Sequence, residues 1–501
     1  MTDEIPLGWT KAHISEICDV SKERGREGIT PYLEIGNVDI VSKRYMFTDK
    51  LSVRGCQMAK QDDVLISRVR PTRGAIVWIR ESELHVSSAF TVLRDCGTLS
   101  KKYLWLFLAW NRAYLNHLGD NCTGTMYPTT SEDAITDFDV PIAPLAEQKR
   151  IVEKLDAVMA RLEACKSRLA LIPPLLKRFR QSVLSAACSG KLTADWREQN
   201  LIIENADALL DRIREKRLAS APTKKEKARI DEVFDEGNLR IDEGDLGLDE
   251  IPDTWFGCRV GAVGAVSNGS TPSRKRPDFW GGAIPWVSSG EVRNNIISAT
   301  RERITKAGYE DSSVRLLPRG TVLLAMIGEG KTRGQTAILH IEATINQNIA
   351  AVVLDHGLLS SAYLWRWFQL QYEATRERGS GSGPQALNCQ RVRELPFVLP
   401  PLPEQHEIVC RVEALFAIAD KIAERYKNAK ANVDKLAQSI LTKAFRGELL
   451  PQDPSDEPAS LLLERIRTQR ISREAQQSTS KKSHRNGIKR VARQIHKTLK
   501  I

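Results

Sequence analysis

The sequence predicts an α+β protein made twice. Two tandem domains of mixed α/β structure are each followed by a long helix, and the two helices pair as an antiparallel coiled coil with pseudo-twofold symmetry. Three observations predict this. The 501-residue chain repeats itself at a spacing of about 257 residues. Short β-rich runs broken by turn signals fill the first part of each repeat. A heptad seam fills the later part.

Each half opens alike, Ile5-Pro6-Leu7-Gly8-Trp9 against Ile251-Pro252-Asp253-Thr254-Trp255. Tyr103-Leu104-Trp105 answers Tyr363-Leu364-Trp365, and Pro144-Leu145-Ala146-Glu147-Gln148 answers Pro401-Leu402-Pro403-Glu404-Gln405. Gln181-Ser182-Val183-Leu184 pairs with Gln438-Ser439-Ile440-Leu441. Solenoid repeats run to roughly 20–50 residues, so this longer period is a duplicated module. Such a molecule does one job twice.

Residues 1–143 form the first domain, with strands expected at 63–67 and 74–79 and a helical run at 100–117. A helical region follows at 144–219. The stretch 220–250 holds ten acidic and five basic residues with few apolar ones, and is read as a charged linker. Residues 251–400 form the second domain, with strands at 321–324 and 350–354 and a helical run at 360–377. A second helical region spans 401–470, and 471–501 is a basic tail.

In the first helical run, Ile151, Leu155, Val158, Leu162, Cys165 and Leu169 are spaced alternately by four and three, and the pattern continues to Val183. In the second, Ile408, Val412, Leu415, Ala419, Ile422 and Tyr426 occupy the same positions, continuing to Ile440. Each run would extend roughly 65 Å at 1.5 Å per residue. Equal length and matching register predict that the two pack on each other. Pro173-Pro174 stands where the second run has Lys430-Ala431, so a kink or short break is expected near Ile172.

No apolar run approaches the ~18 residues of a membrane span, and the first residues lack the layout of a signal peptide. Nine scattered cysteines without a Cys-x-x-Cys read as reduced thiols of a cytoplasmic protein. The net charge is +11, but residues 464–501 carry twelve Lys/Arg against two Glu, leaving about +1 for the body. The tail is therefore either a basic arm for phosphates or a solvated, disordered end. A nucleic-acid footprint in the body must come from local clusters.

The ordered set of motifs resembles the specificity (S, HsdS) subunits of type I restriction–modification systems along nearly the whole chain. Its carriers are the two Pro-Leu-x-Glu-Gln helix openings, each followed by a seam, Gln-Ser-(Val/Ile)-Leu and then Gly190-Lys191-Leu192 or Gly447-Glu448-Leu449. The segment from Asn268-Gly269-Ser270-Thr271-Pro272 to Trp286-Val287 also looks typical of a target-recognition domain. The resemblance implies two target-recognition domains, each reading half of a bipartite site in double-stranded DNA, and helices that act as spacer. It implies two methyltransferase (M) subunits docked near the two helix openings, and restriction/motor (R) subunits joining them. S-adenosylmethionine, ATP and Mg would then sit on those partners, with no cofactor or metal on this chain, and no membrane is involved. Gly124-Thr125-Met126-Tyr127-Pro128 departs from Gly381-Ser382-Gly383-Pro384-Gln385 in the second domain.

A self-sufficient methyltransferase would need an Asn/Asp-Pro-Pro-aromatic motif, and none occurs. Pro277-Asp278 with Glu329-Gly330-Lys331 imitates the carboxylate–lysine set of a self-sufficient nuclease, but the first half has no counterpart. Gly328-Glu329-Gly330-Lys331-Thr332 imitates a phosphate loop, but Ala325 stands where its first glycine belongs. The histidines form no His-x-x-x-His pair, so no catalytic site is expected. A coiled-coil scaffold without a DNA role is the remaining alternative. The DNA-reading candidates are short basic loops: Arg68, Arg70 and Arg73 after one strand, their counterparts Lys331 and Arg333, and Arg274 and Lys275 beside Thr271 and Ser273. Arginine offers paired donors to guanine, and both basic types neutralise phosphate. Gly74 and Gly334 follow the paired Arg73 and Arg333 and allow close backbone approach.

Overall fold

The structure is a computed structural model. It describes residues 5–96, 99–100, 102–201, 204–221, 223–235, 239, 241, 248, 250–328, 330–355, 357–377 and 386–472. The motif 381–385 and nearly all of the basic tail therefore lie outside the described residues. The chain divides into two units, one of residues 1–170 with those from 427 on, the other of residues 171–426.

The first unit is built on an antiparallel sheet with strand order Cys18–Val20, Phe90–Asp95, Val64–Ser67, Ile76–Trp78. Alternate residues of its middle strands enter different cores. Val64 and Ile66 join one cluster, while Leu65 joins another with Val77 and Val92. Both faces are covered, which is why these strands read as unbroken apolar runs. The second unit repeats the plan with five strands, Ala265–Asn268, Ile349–Val353, Val322–Ala325, Thr336–Leu339 and Asn295–Ile297. Val322 and Leu324 face one core there, and Leu323 and Ala325 the other.

Each unit also holds two antiparallel helix segments. In the first, Ile151 and Leu155 of the helix Leu145–Ala170 share a core with Leu441 and Ala444, and Lys166 pairs with Asp434 at 3.2 Å. In the second, the helix Ile172–Cys188 brings Arg180 to Asp420 at 2.6 Å, and further on Thr193 meets Glu404. One partner's number rises as the other's falls, so the segments in each unit run antiparallel. The break expected at the prolines falls at Leu171. Pro173 and Pro174 open the helix that follows, where the missing N–H bonds are not needed. The other helix runs unbroken over Leu402–Phe445.

Two expectations need correction. Ile422, placed on the seam, is 40% exposed, while Val158, Leu169, Leu415 and Tyr426 are half-buried. On the seam, Ile151, Leu155, Leu162, Ile408, Val412 and Ala419 are buried, and Ile151, Leu155, Ile408 and Val412 are so as members of the cores of their domains. Two helices alone leave the flanks of their seam in water. The stretch 220–250 is not simply a linker either. It contains the helix Lys224–Val233, and Ile230, Phe234 and Ile241 are buried in the second unit's core. Arg214 holds this segment through Asp231 at 3.1 Å and by lying over the Phe234 ring.

The Glu-Gln pair at each helix opening is an internal latch. In the first unit Trp9 Nε1 donates to Glu147 Oε2 at 2.9 Å, and the Ser100 N–H donates to Gln148 Oε1 at 2.9 Å. Gln148 Nε2 donates back to the Ala143 carbonyl at 2.8 Å. The second unit repeats every bond: Trp255 to Glu404 at 2.7 Å, Ser360 to Gln405 at 2.9 Å, and Gln405 to the Pro400 carbonyl at 2.8 Å. The two latches differ at one oxygen. Glu404 Oε1 accepts from the Thr193 hydroxyl at 2.6 Å and from Arg197. Leu450 and Pro454 stand at the corresponding positions of the other repeat. Glu147 Oε1 is buried with no hydrogen-bond partner among the described residues. Burial raises the Glu147 carboxyl above its ordinary range, and Trp9 and Arg150 oppose this only in part.

An acid whose folded-state pKa is raised stabilises the fold below its ordinary pKa and loses that contribution as pH rises through the folded value. Glu147→Gln should therefore flatten the decline of stability from the ordinary carboxyl range towards neutral pH and leave the melting temperature near pH 7.5 unchanged or higher. Glu404→Gln instead leaves Arg197 without its carboxylate and should cost up to about 3 kcal/mol. Thermal melts of the two variants between pH 4.5 and 8 check the contrast.

Candidate nucleic-acid interface

Strand register fixes which loops share an end of each sheet. In the first unit Val20 pairs with Leu93, Phe90 with Ser67, and Ile66 with Ile76. Loops 21–27, 68–75 and 87–89 therefore leave the same end. In the second unit Asn268 pairs with Ala350, Ala325 with Ile349, Leu324 with Thr336, and Asn295 with Ala337. Loops 269–276, 288–294, 326–335 and 346–348 gather there. The sequence-predicted Arg, Lys, Thr and Ser residues all lie on these loops.

In the first unit the 68–74 loop is bound to a neighbouring hairpin, Cys122–Thr123 with Thr129–Thr130. The Thr130 N–H donates to the Arg68 carbonyl at 2.9 Å, and the Arg70 N–H donates to the Pro128 carbonyl at 2.7 Å. Arg70 adopts a left-handed conformation (φ 48°), and its guanidinium lies 5.1 Å from the Tyr127 ring centroid. Met126 and Tyr127 at the hairpin tip are 79% and 66% exposed. Arg68 is half-buried on the Ser88 carbonyl, while Arg73 is exposed on a 3-10 turn that ends at Gly74 (φ 70°). Beneath it the buried Lys43 ammonium donates to the Gly74 carbonyl at 2.5 Å. Burial pushes Lys43 down to about 8.

In the second unit Thr271 donates to Gln347, joining two loops of the cluster. The Arg274 guanidinium lies 3.7 Å from the Trp280 ring centroid and is paired end-on with Glu302 at 2.5 and 2.9 Å. That hydrogen-bonded pair holds the Glu302 carboxyl below its usual range. Ser273 and Lys275 are exposed on the same loop, and Arg276 stacks on Phe279 while pairing with Asp278 at 2.7 Å. Lys331 is exposed, and its carbonyl accepts from the Tyr372 hydroxyl at 2.8 Å.

Arg333 does not share this surface. It is 7% exposed, and its Nη2 donates to the Arg376 carbonyl at 3.0 Å while Arg376 Nη1 donates to the Arg333 carbonyl at 3.0 Å. The helix Tyr372–Glu377 covers the loop and turns this arginine into scaffold. Its repeat counterpart Arg73 keeps the exposed position. The docking expected at Glu147-Gln148 and Glu404-Gln405 cannot use those side chains, since all four are buried in the latches. Sequence reasoning missed Lys22, Arg24 and Arg26, exposed on the loop after Cys18–Val20. That loop is the topological counterpart of 269–276, and the alternating basic residues of Lys22-Glu23-Arg24-Gly25-Arg26 were the available signal. Glu302 and Gln347 had no such signal.

Exposed guanidiniums on aromatic faces, flanked by hydroxyls and amides, suit a nucleic acid, which offers phosphates and base edges. Among the described residues no three His, Cys, Asp or Glu side chains gather as a metal-ligand set, and no helix is long and apolar enough to cross a membrane.

Fold and site together define a class, a duplicated α+β protein with a basic, aromatic-backed loop cluster at one end of each sheet. The chain belongs to the family of type I restriction modification DNA specificity domains, which matches residues 6–172 and 252–431. It is 31% identical to the EcoDI specificity subunit of Escherichia coli over 395 residues, 75% of this chain and 79% of that one. With the StySPI specificity subunit of Salmonella potsdam it shares 26% identity across 96% and 99% of the two chains. Among solved structures, the HsdS subunit from Thermoanaerobacter tengcongensis has a TM-score of 0.56 at 19% identity, covering 90% of this chain and 100% of that one. A chain of a type I R-M system solved for its complex assembly and conformational transition has a TM-score of 0.64 at 18% identity, covering 89% and 100%.

Arg333→Ala removes a buried group that ties the loop to Tyr372–Glu377, and should lower stability by about 1–3 kcal/mol. Chemical denaturation should register that loss, with base preference at saturating protein left in place.

Proposed function

We propose that this chain is the DNA sequence-specificity subunit of a type I restriction–modification complex and binds a bipartite, asymmetric target, one half-site per unit. The carrying observation is the duplication: two units of one plan, each gathering its basic loops at the same end of its sheet. The loops differ in sequence, so the two half-sites differ. Arg70, Arg73, Lys22, Arg24 and Arg26 contact DNA from the first unit. Thr271, Ser273, Arg274, Lys275 and Lys331 do so from the second, with Arg68 supporting the first loop.

The chain itself carries no catalytic step. Two M subunits dock beside the helix openings, on surfaces oriented by the latches, and bring S-adenosylmethionine for methyl transfer. R subunits bring ATP and Mg. The complex works in the cytoplasm. Native mass spectrometry at saturating M subunit should give two M per chain, and a plateau at one overturns the two-platform reading.

The helices act as spacer. Insertion of seven residues after Leu162, repeating the local heptad, keeps the seam in phase and lengthens that helix by roughly 10 Å. At about 3.4 Å per base pair, the gap between half-sites should grow by about one to three base pairs, with both half-site sequences unchanged. Mapping of methylated positions in a genome with the native and lengthened chains tests both this and the bipartite reading.

A further inference from the structure

In the second unit, one arginine–carboxylate pair is held more rigidly than its exposure explains. Arg274 and Glu302 are 53% and 39% exposed, and a surface pair of that kind contributes little to stability. Yet the pair is fixed from several sides. The Arg274 guanidinium lies on Trp280 and 5.1 Å from the Trp286 centroid, and the two indoles meet edge to face at 5.1 Å and 90°. Trp280 Nε1 donates to the Ser273 carbonyl at 3.3 Å and Trp286 Nε1 to the Ser270 carbonyl at 3.1 Å, so both indoles are locked to the loop that carries Arg274. The start of that loop is tied to the neighbouring strand: the Ser270 N–H donates to the Ile345 carbonyl at 3.0 Å, and Gly269 packs so close that a Cβ there would lie 1.8 Å from the same oxygen. Glu302 sits on the strand Glu302–Ile304, paired with Trp280–Val287.

We propose that Arg274 and Glu302 form one reading unit for a G·C base pair in the major groove. It rests on the DNA-specificity function proposed above. A G·C pair presents guanine N7 and O6 as acceptors and, beside them, the cytosine N4–H as donor. Arginine matches the first two with paired N–H groups, and a carboxylate matches the third. The bonds to Glu302 use only Nη1 and Nη2, one N–H each, which leaves three of the five guanidinium N–H groups for the base. Stacking on Trp280 fixes the plane of the fork. Glu302, kept ionised by Arg274, holds acceptor capacity for N4–H. The pair thus carries donors and an acceptor in the order that one G·C pair displays.

The test uses the full complex with its M subunits, and measures methylation rates on duplexes in which each base pair of both half-sites is replaced in turn. Arg274→Ala and Arg274→Lys should each lose roughly ten- to a hundredfold discrimination at a single G·C position of one half-site. Lysine fails there because it lacks the fork. Glu302→Ala should relax the same position, and the other half-site should be read as before. On the native complex, 7-deazaguanine at that position removes the N7 acceptor and should slow methylation, whether or not the variants fold. Full rates with 7-deazaguanine at every guanine of the half-site, or variants that keep every base preference, would make the pair a surface clamp and overturn the inference. A native complex with no bipartite preference at all would instead overturn the function on which it rests.

Discussion

The constraint on which the architecture depends is the burial of one carboxylate and one amide at the start of each long helix. A buried polar group must find partners, and here they come from three separate stretches of chain. Glu147 takes the indole of Trp9, and Gln148 takes the Ser100 N–H while returning a donor to Ala143. A helix held so at its first turn has one direction in which to leave its domain. The loops at the sheet end are then presented in a fixed relation to that helix within each unit. Because the second unit repeats these bonds with Trp255, Glu404, Gln405 and Ser360, the same local direction recurs there. The bare oxygen of Glu147 shows where the copies have drifted. Thr193 and Arg197 complete the second latch, and the apolar or imino residues at their counterparts cannot.

Much of this was legible in the sequence, because duplication makes a motif visible twice. The helix openings, the paired seams and the break at Pro173-Pro174 all follow from local spacing and backbone chemistry. What was not legible was burial, which depends on residues distant in sequence. Glu147 and Glu404 read as helix-opening acids on a surface platform, whereas a tryptophan 138 residues away claims the first of them. Arg73 and Arg333 hold the same place in the repeat, yet Tyr372–Glu377 closes over the second. The charged stretch after residue 220 offers few apolar side chains, but Ile230, Phe234 and Ile241 suffice to dock it once Arg214 is positioned. Charge density alone suggested a linker because the core that receives these three side chains, and the Arg214 that holds Asp231, lie outside the segment.

The arginines of the loop clusters share a physical device. Arg70 lies over Tyr127, Arg274 over Trp280 and Arg276 over Phe279. An aromatic face removes rotamer freedom before any ligand arrives, which lowers the entropic cost of binding and preserves the flat fork that a lysine lacks. Carboxylates complete the device, since Glu302 and Asp278 neutralise two of these groups in the free protein. Nonspecific DNA affinity grows with the number of phosphates a protein neutralises. A body of nearly zero net charge, with Arg274 and Arg276 already paired, gains less from phosphate alone. In the proposed reading, a base edge that offers acceptors and a donor in register engages both the N–H groups and the carboxylate oxygens that the Arg274–Glu302 pair leaves open, whereas phosphate engages only the N–H groups. For the proposed function this matters more than tight binding, because a genome presents vastly more wrong sites than right ones. The neutral body and the paired arginines are thus two expressions of one requirement, that discrimination exceed affinity.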